Sequence, residues 1–239
     1  MNPVTKRQED LLFAAVSEHI RTGEAVSSDD LRTRYRLSYS PATIRNELLA
    51  LSELGFLDQP HTSAGRIPTD RGYRWYADKI SAASPLKKDE VTAIRQISEE
   101  YTDLNEFFRL STEMLARMVQ ALVVGGVSEN SMEPFYKSGF GQILSEPEFT
   151  ESISRNSFGE LVDSIDADVR SLIEARDFKI PHIFIGGENP IEEARPYSMI
   201  IKTIEHGDDR GVLAIIGAKR MRYDKGLSLL SALDSIFDE

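Results

Sequence analysis

Thr43, Arg45 and Asn46 stand close together on a stretch that reads as the start of a helix. Arginine pairs bidentately with guanine and asparagine with adenine, and short hydroxyl side chains reach phosphates. Immediately before them, Ser40 offers a hydroxyl, while Pro41 and Ala42 are shaped to sit against a thymine methyl or the sugar-phosphate backbone. Arg45 suits either base reading or a phosphate clamp. A second group, His61, Thr62, Ser63 and Arg66, surrounds Gly65 in PHTSAGRIP. Small residues there let backbone N–H groups approach phosphate, and Arg66 is long enough to enter a minor groove. Arg32, Arg34 and Arg36 precede the helix, and Arg71 and Arg74 follow the loop. Each of these five is either a phosphate contact or a plain surface or salt-bridging arginine. The chemistry is that of binding a polyanion, not of making or breaking bonds. His19, His182 and His206 are scattered without metal-ligand spacing, and Asp163, Asp166 and Asp168 read as a solvated helix face. Neither a glycine-rich phosphate loop nor a nucleophile elbow occurs, so no catalytic, cofactor or metal site is expected.

The elements that must position these residues follow from local signals. Ser40 is an N-cap, because its hydroxyl can accept from a free N–H of the first turn. Pro41 falls at N1, where its missing N–H is not needed. Ile44, Leu48, Leu51 and Leu54 recur at helical spacing, and Gly55 follows as a stop. Upstream, one helix spans Thr5 to Arg21 with the stripe Leu11, Leu12, Ala15, Val16, His19 and Ile20. Another runs from Ser28 to about Tyr35 behind the cap Ser27. A short turn joins it to the Ser40 helix, which is the helix-turn-helix pattern. Phe56-Leu57, a polar loop with a proline at each end and a basic tip have the makeup of a β-wing. A closing helix after Thr69 carries Tyr73, Trp75, Tyr76 and Ile80.

Charge agrees with this division. The 239 residues carry a net −11, yet residues 1–80 hold 11 basic and 11 acidic side chains, so all the excess acid lies beyond them. From Leu31 to Asn46 there are four arginines and no acid. A local basic cluster of this kind can hold phosphate while the acidic remainder limits non-specific binding. The absence of cysteine excludes disulfides and thiolate metal sites. No apolar run approaches the roughly 20 residues of a membrane span. The first ten residues lack an apolar signal core, so a cytoplasmic location is expected.

Past a linker at Ser81 to Pro85, one long connecting helix is predicted from Leu86 to about Val123. Ile94, Ile97, Tyr101, Leu104, Phe108, Leu115, Met118 and Leu122 fall on a heptad-like seam, and Gly125-Gly126 would end the helix. That face packs on the chain's own C-terminal part, pairs with a second copy, or does each at a different end. Beyond it the segments shorten. Pro134 to Leu144 reads as a strand or loop entering a short helix, and a further helix starts behind Ser157 with Glu160 completing a capping box. Then come a strand at Ile180 to Ile185, a hairpin of Tyr197 to Ile204 with Gly211 to Gly217, and a closing helix from Tyr223 to Phe237. The fold class is α+β. Its divisions are a winged helix-turn-helix domain at 1–80, a linker and long heptad helix at 81–125, and a small α+β domain at 126–239.

The stretch PATIRNELLALSELGFLDQPHTSAGRIPTDRGYRWYADKI closely resembles the HrcA-type heat-inducible transcription repressors, whose wing carries PHTSAGRIPTD. TKRQEDLLFAAVSEHIRTGEAVSS is similar to the family's N-terminus. LSEPEF, GGENP and GVLAIIGAKRMRYDK resemble its C-terminal GAF-like domain. The departure is in the middle: the first strands of the GAF-like domain and the inserted dimerisation domain have no counterpart, so a truncated GAF-like domain is expected. The resemblance implies a repressor that binds double-stranded DNA as a homodimer, at an inverted repeat (the CIRCE element) ahead of chaperone genes. It also implies help from the chaperonin GroEL and release on heat stress. Two other readings are a ligand-responsive winged-helix regulator and a protein-interaction module that has lost DNA binding.

Overall fold

The computed structural model describes residues 4–61, 65–80, 84–128, 134–146, 152–207 and 209–237. They form two compact units, Met1–Ile80 and Ser81–Glu239.

In the first unit the order is α1 (Lys6–Thr22), α2 (Ser28–Arg34), α3 (Pro41–Glu53), β1 (Leu57–Asp58), β2 (Ile67–Pro68) and α4 (Asp70–Ala77). Each helix starts where a side chain satisfies its free N–H groups. The hydroxyls of Thr5, Ser27, Ser40 and Thr69 accept from Gln8, Asp30, Thr43 and Gly72 respectively. Leu11, Leu12 and Val16 of α1, Leu31 of α2 and Ile44, Leu48 and Leu51 of α3 are buried together with Tyr73 and Tyr76 of α4. The two short strands pair antiparallel, Leu57 opposite Pro68 and Asp58 opposite Ile67.

The second unit runs α5 (Lys88–Glu100), α6 (Leu104–Val119), β3 (Leu122–Val127), β4 (Tyr136–Ser138), α7 (Phe140–Leu144), α8 (Ser152–Ala175), β5 (His182–Ile185), β6 (Ser198–His206), β7 (Asp209–Gly217) and α9 (Tyr223–Asp234). The five strands make one antiparallel sheet in the order β4-β3-β7-β6-β5. Leu161, Ile165, Val169 and Ile173 of α8 cover one face, against Leu122, Val124, Met199, Ile201, Val212, Ala214 and Ile216. On the other face α6 packs on β3 and β4, and α9 on β6. With both faces covered, residues 198–204 of β6 and 211–217 of β7 are buried without alternation. The architecture is therefore α+β, mixing helices with an antiparallel sheet.

The single long helix is not formed. It breaks at Tyr101–Asp103, where Tyr101 and Asp103 have extended backbones. The cause is a fresh helix start: the Asp103 carboxylate accepts from the Glu106 N–H at 2.9 Å, and Glu106 in return accepts from the N–H and hydroxyl of Thr102. Much of the apolar seam faces inward. Ile97, Leu104, Phe108, Leu115 and Leu122 are buried within their own unit.

Gly125 and Gly126 likewise do not end a helix. They lie in β3, whose first strand-paired residue is Leu122 opposite Ile216. A Cβ on Gly125 would stand 2.7 Å from the Thr112 hydroxyl of α6, so the glycine permits helix and strand to approach. Thus the stretch expected to close a helix supplies an inner strand of the sheet, and a boundary at residue 125 would cut that strand. Helix α8 begins at Ser152, so Ser157 lies within the helix and not at its cap. The linker's residues 81–83 lie outside the described residues.

Candidate nucleic-acid interface

Helix α3 displays two distinct faces. Ile44, Leu48 and Leu51 are buried, so Ala42, Arg45 and Asn46 are turned outward and exposed. The side chains of Arg45 and Asn46 make no hydrogen bond or ion pair among the described residues. The Ser40 hydroxyl accepts from the Thr43 N–H at 3.1 Å and lies 2.9 Å from the Thr43 hydroxyl. Ser40 and Thr43 thus hold the helix start, while Pro41 sits at its first position.

The turn ahead of α3 is closed by Arg36, whose φ of 50° lies in the left-handed region that side chains other than glycine rarely adopt. The Leu37 N–H reaches back to the Arg32 carbonyl at 3.2 Å. This turn opens a shallow cleft of about 580 Å³ lined by Arg32, Arg36, Ser38, Tyr39, Ser40 and Pro41, among others. Arg32 and Arg36 are exposed and unpaired among the described residues. A cleft with two unpaired guanidiniums, the hydroxyls of Thr33, Ser38, Tyr39 and Ser40, and a helix N-terminus is chemically suited to a phosphate.

Arg34 behaves differently. Its Nε lies 3.4 Å from the buried Glu18 carboxylate, which also takes the Arg21 guanidinium at 2.6 Å. Beside this cluster, burial pushes the Tyr35 phenol above its ordinary pKa, and the Glu18 charge adds to the effect. No motif chemistry singles out Glu18; its signal is its place seven residues after Leu11, on the buried face of α1.

The loop between β1 and β2 is anchored at its base. Val26 and Arg66 exchange both backbone hydrogen bonds at 2.8 Å, which adds a bridge alongside the two strands. Gly65 is required by this bridge, since a Cβ would stand 2.5 Å from the Val26 carbonyl oxygen. Its role is close packing of the chain on itself. The Thr69 hydroxyl donates to the Gly55 carbonyl at 2.7 Å, and Arg71 donates to the Leu54 carbonyl at 2.7 Å while its guanidinium covers Phe56 at 4.4 Å. Arg71 is therefore tied to the end of α3, and Arg74 is paired with Asp78 at 3.4 Å. His61 is exposed and the Arg66 side chain is half-exposed. Thr62 and Ser63 lie outside the described residues.

The structure thus gathers Arg32, Arg36, Ser40 and Pro41 around one cleft and leaves Ala42, Arg45 and Asn46 on the outer face of the same helix. Arg34 and Arg71 are turned to the fold. Among the described residues no cluster of three His, Asp or Glu is placed to hold a metal ion, and no helix is long and apolar enough to cross a membrane.

Residues 83–226 match the family described as HrcA protein C terminal domain. The chain belongs to the HrcA family. A heat-inducible transcription repressor HrcA of Thermobifida fusca is 42% identical over 123 residues, which cover 52% of this chain but 36% of that protein. The repressor of the same name from Roseiflexus sp. strain RS-1 aligns over 337 residues at 26% identity, covering 99% of this chain and 94% of its own length. Those 337 aligned positions exceed the 239 residues here by 98, so at least that many have no counterpart in this chain. A solved crystal structure described as a hypothetical protein shares the fold, with a TM-score of 0.77 at 18% identity over 99% of this chain and 98% of that one.

Proposed function

We propose that this HrcA-family chain is a transcriptional repressor and not an enzyme. In this reading residues 1–80 are a winged helix-turn-helix, with α3 as recognition helix and the β1–β2 loop as wing. One observation carries it. Helix α3 holds Arg45 and Asn46 exposed and unpaired among the described residues, directly beside a cleft with two further unpaired arginines, in a stretch without any acid. Arg45 and Asn46 would read base edges in the major groove, and Arg32, Arg36, Ser40 and Thr43 would hold the backbone. The wing residues His61, Thr62, Ser63 and Arg66 would add contacts in the neighbouring groove.

The second unit we read as a GAF-like domain that serves assembly. A two-fold operator requires two recognition helices, so the working form is a homodimer on an inverted repeat of the CIRCE type ahead of chaperone genes. Family membership supports release on heat stress and a chaperonin of the GroEL type as the partner that keeps the repressor active. The shared name of the relatives, heat-inducible transcription repressor, supports the same reading.

A mobility-shift titration tests this, using the inverted repeat and a scrambled duplex of equal composition, with the mass of the complex measured in parallel. Preference for the repeat with two chains per duplex is expected. Equal affinity for both duplexes would remove the repressor reading. For the heat switch, DNA binding should lapse at the protein's own unfolding transition. Reversible melting far above that range, unaffected by chaperonin, would contradict it.

A further inference from the structure

One guanidinium ties three segments of the first unit together. Arg7, in the first turn of α1, places its Nε 2.7 Å from Oε1 of Glu47, in the second turn of α3. Glu47 is largely buried, at 13% side-chain exposure, whereas Arg7 is 46% exposed. The same guanidinium lies 5.6 Å from the centre of the Tyr39 ring, a distance at which a cation is attracted to the π face. Tyr39 in turn lines the cleft beside Ser40 and Pro41.

The geometry sets α3 apart from a helix held by apolar contacts alone. Ile44, Leu48 and Leu51 fix how closely α3 approaches the core and which face it turns outward, but such contacts are non-directional and hold small rotations about the helix axis less tightly than a directional contact does. An ion pair to one oxygen of a buried carboxylate is directional. Glu47 follows Asn46 by one position and Arg45 by two, so fixing its azimuth fixes theirs. Among the described residues, no other ion pair reaches Arg7 or Glu47.

We infer that Arg7 and Glu47 are positioning residues for the base-reading face of α3, holding its rotation so that Arg45 and Asn46 meet base edges together. The inference rests on the DNA-reading role proposed above. Neither residue need touch DNA, and their effect is on selectivity rather than on attraction to the duplex.

Electrostatics and positioning predict different outcomes for Glu47→Gln. Removing an acid beside a polyanion strengthens attraction to any duplex. Loosening α3 lowers the ratio of affinity for the inverted repeat to that for the scrambled duplex. Both affinities are to be measured at one salt concentration for wild type, Arg7→Ala, Glu47→Gln and the reversal Arg7→Glu with Glu47→Arg, with melting curves recorded for each. The expected result is a fall of about tenfold in that ratio for each single variant, with the folded fraction intact at the assay temperature and the ratio restored in the reversal. Should Arg7→Ala melt below the assay temperature, Glu47→Gln alone decides. A ratio within about twofold of wild type for a folded Glu47→Gln would overturn the inference. Wild-type protein without preference for the repeat would instead overturn the DNA-reading role on which it stands, and the two failures are read from different samples.

Discussion

Arg34 and Glu18 face each other across the junction of α1 and α2, with Nε of the first 3.4 Å from Oε2 of the second. The Glu18 side chain is only 8% exposed. A buried carboxylate needs cationic partners, and Arg34 and Arg21 supply them. Arg34 is thereby drawn to the fold, while Arg32 and Arg36, two positions to either side, line the cleft unpaired among the described residues.

This separates two arginines of equal charge. Arg36→Ala should lower the slope of log affinity against log salt by about one and leave the melting temperature unchanged. Arg34→Ala should lower stability by about 1 kcal/mol or less, because Arg34 is half-exposed and Arg21 stays on Glu18, and it should change the salt slope far less. Salt titrations and melting curves of the two variants check both statements.

Arg45→Ala and Asn46→Ala should act on selectivity. Each lost base contact removes about 1–3 kcal/mol of discrimination, while binding to scrambled DNA changes little for Asn46→Ala. Systematic substitution of the inverted repeat should show selectivity lost at a confined set of positions for each variant. A uniform loss over all sequences would assign the residue to the backbone.

The start of α6 rests on Asp103. Asp103→Ala removes the acceptor for the Glu106 N–H and should cost about 1 kcal/mol of stability in the second unit. Thermal or denaturant unfolding measures it, and Asp103→Asn should recover most of the loss.

Glu90 gives the second unit an acid-sensitive contact. Burial alone would push its carboxyl up, but the Lys87 backbone N–H at 2.9 Å and the Lys225 ammonium at 3.0 Å together hold it below its ordinary value of 4.5. A carboxylate with a lowered folded pKa adds stability that is fully present above its unfolded pKa and is lost as pH falls through the folded one. Melting temperature should therefore decline below about pH 4.5 more steeply in wild type than in Glu90→Gln. Equal slopes would show that this pair does not contribute.

Local signals in the chain are enough to read most helix starts. Thr5, Ser27, Ser40 and Thr69 each lie at the boundary their hydroxyls mark, because capping involves residues three apart. The same rule exposes the break at Asp103, whose partner Glu106 stands three residues on. Apolar spacing runs across the break from Tyr101 to Leu104 without interruption, so periodicity alone continues the helix. Strand β3 is not legible locally. Val123-Val124-Gly125-Gly126 acquires its conformation from Ala214 and its neighbours in β7, about ninety residues away along the chain. The outward display of Arg45 and Asn46 follows from the spacing of Ile44, Leu48 and Leu51. That Arg34 and Arg71 are occupied does not follow, since Glu18 and the Leu54 carbonyl reach them only through the fold.

The central claim is that this chain reads an inverted repeat through α3. Its most direct measurement is competition between the inverted-repeat duplex and a scrambled one for the wild-type protein at fixed, near-physiological salt. A preference of at least about a thousandfold for the repeat is expected, with two chains on each bound duplex. Equal competition by the two duplexes would contradict it.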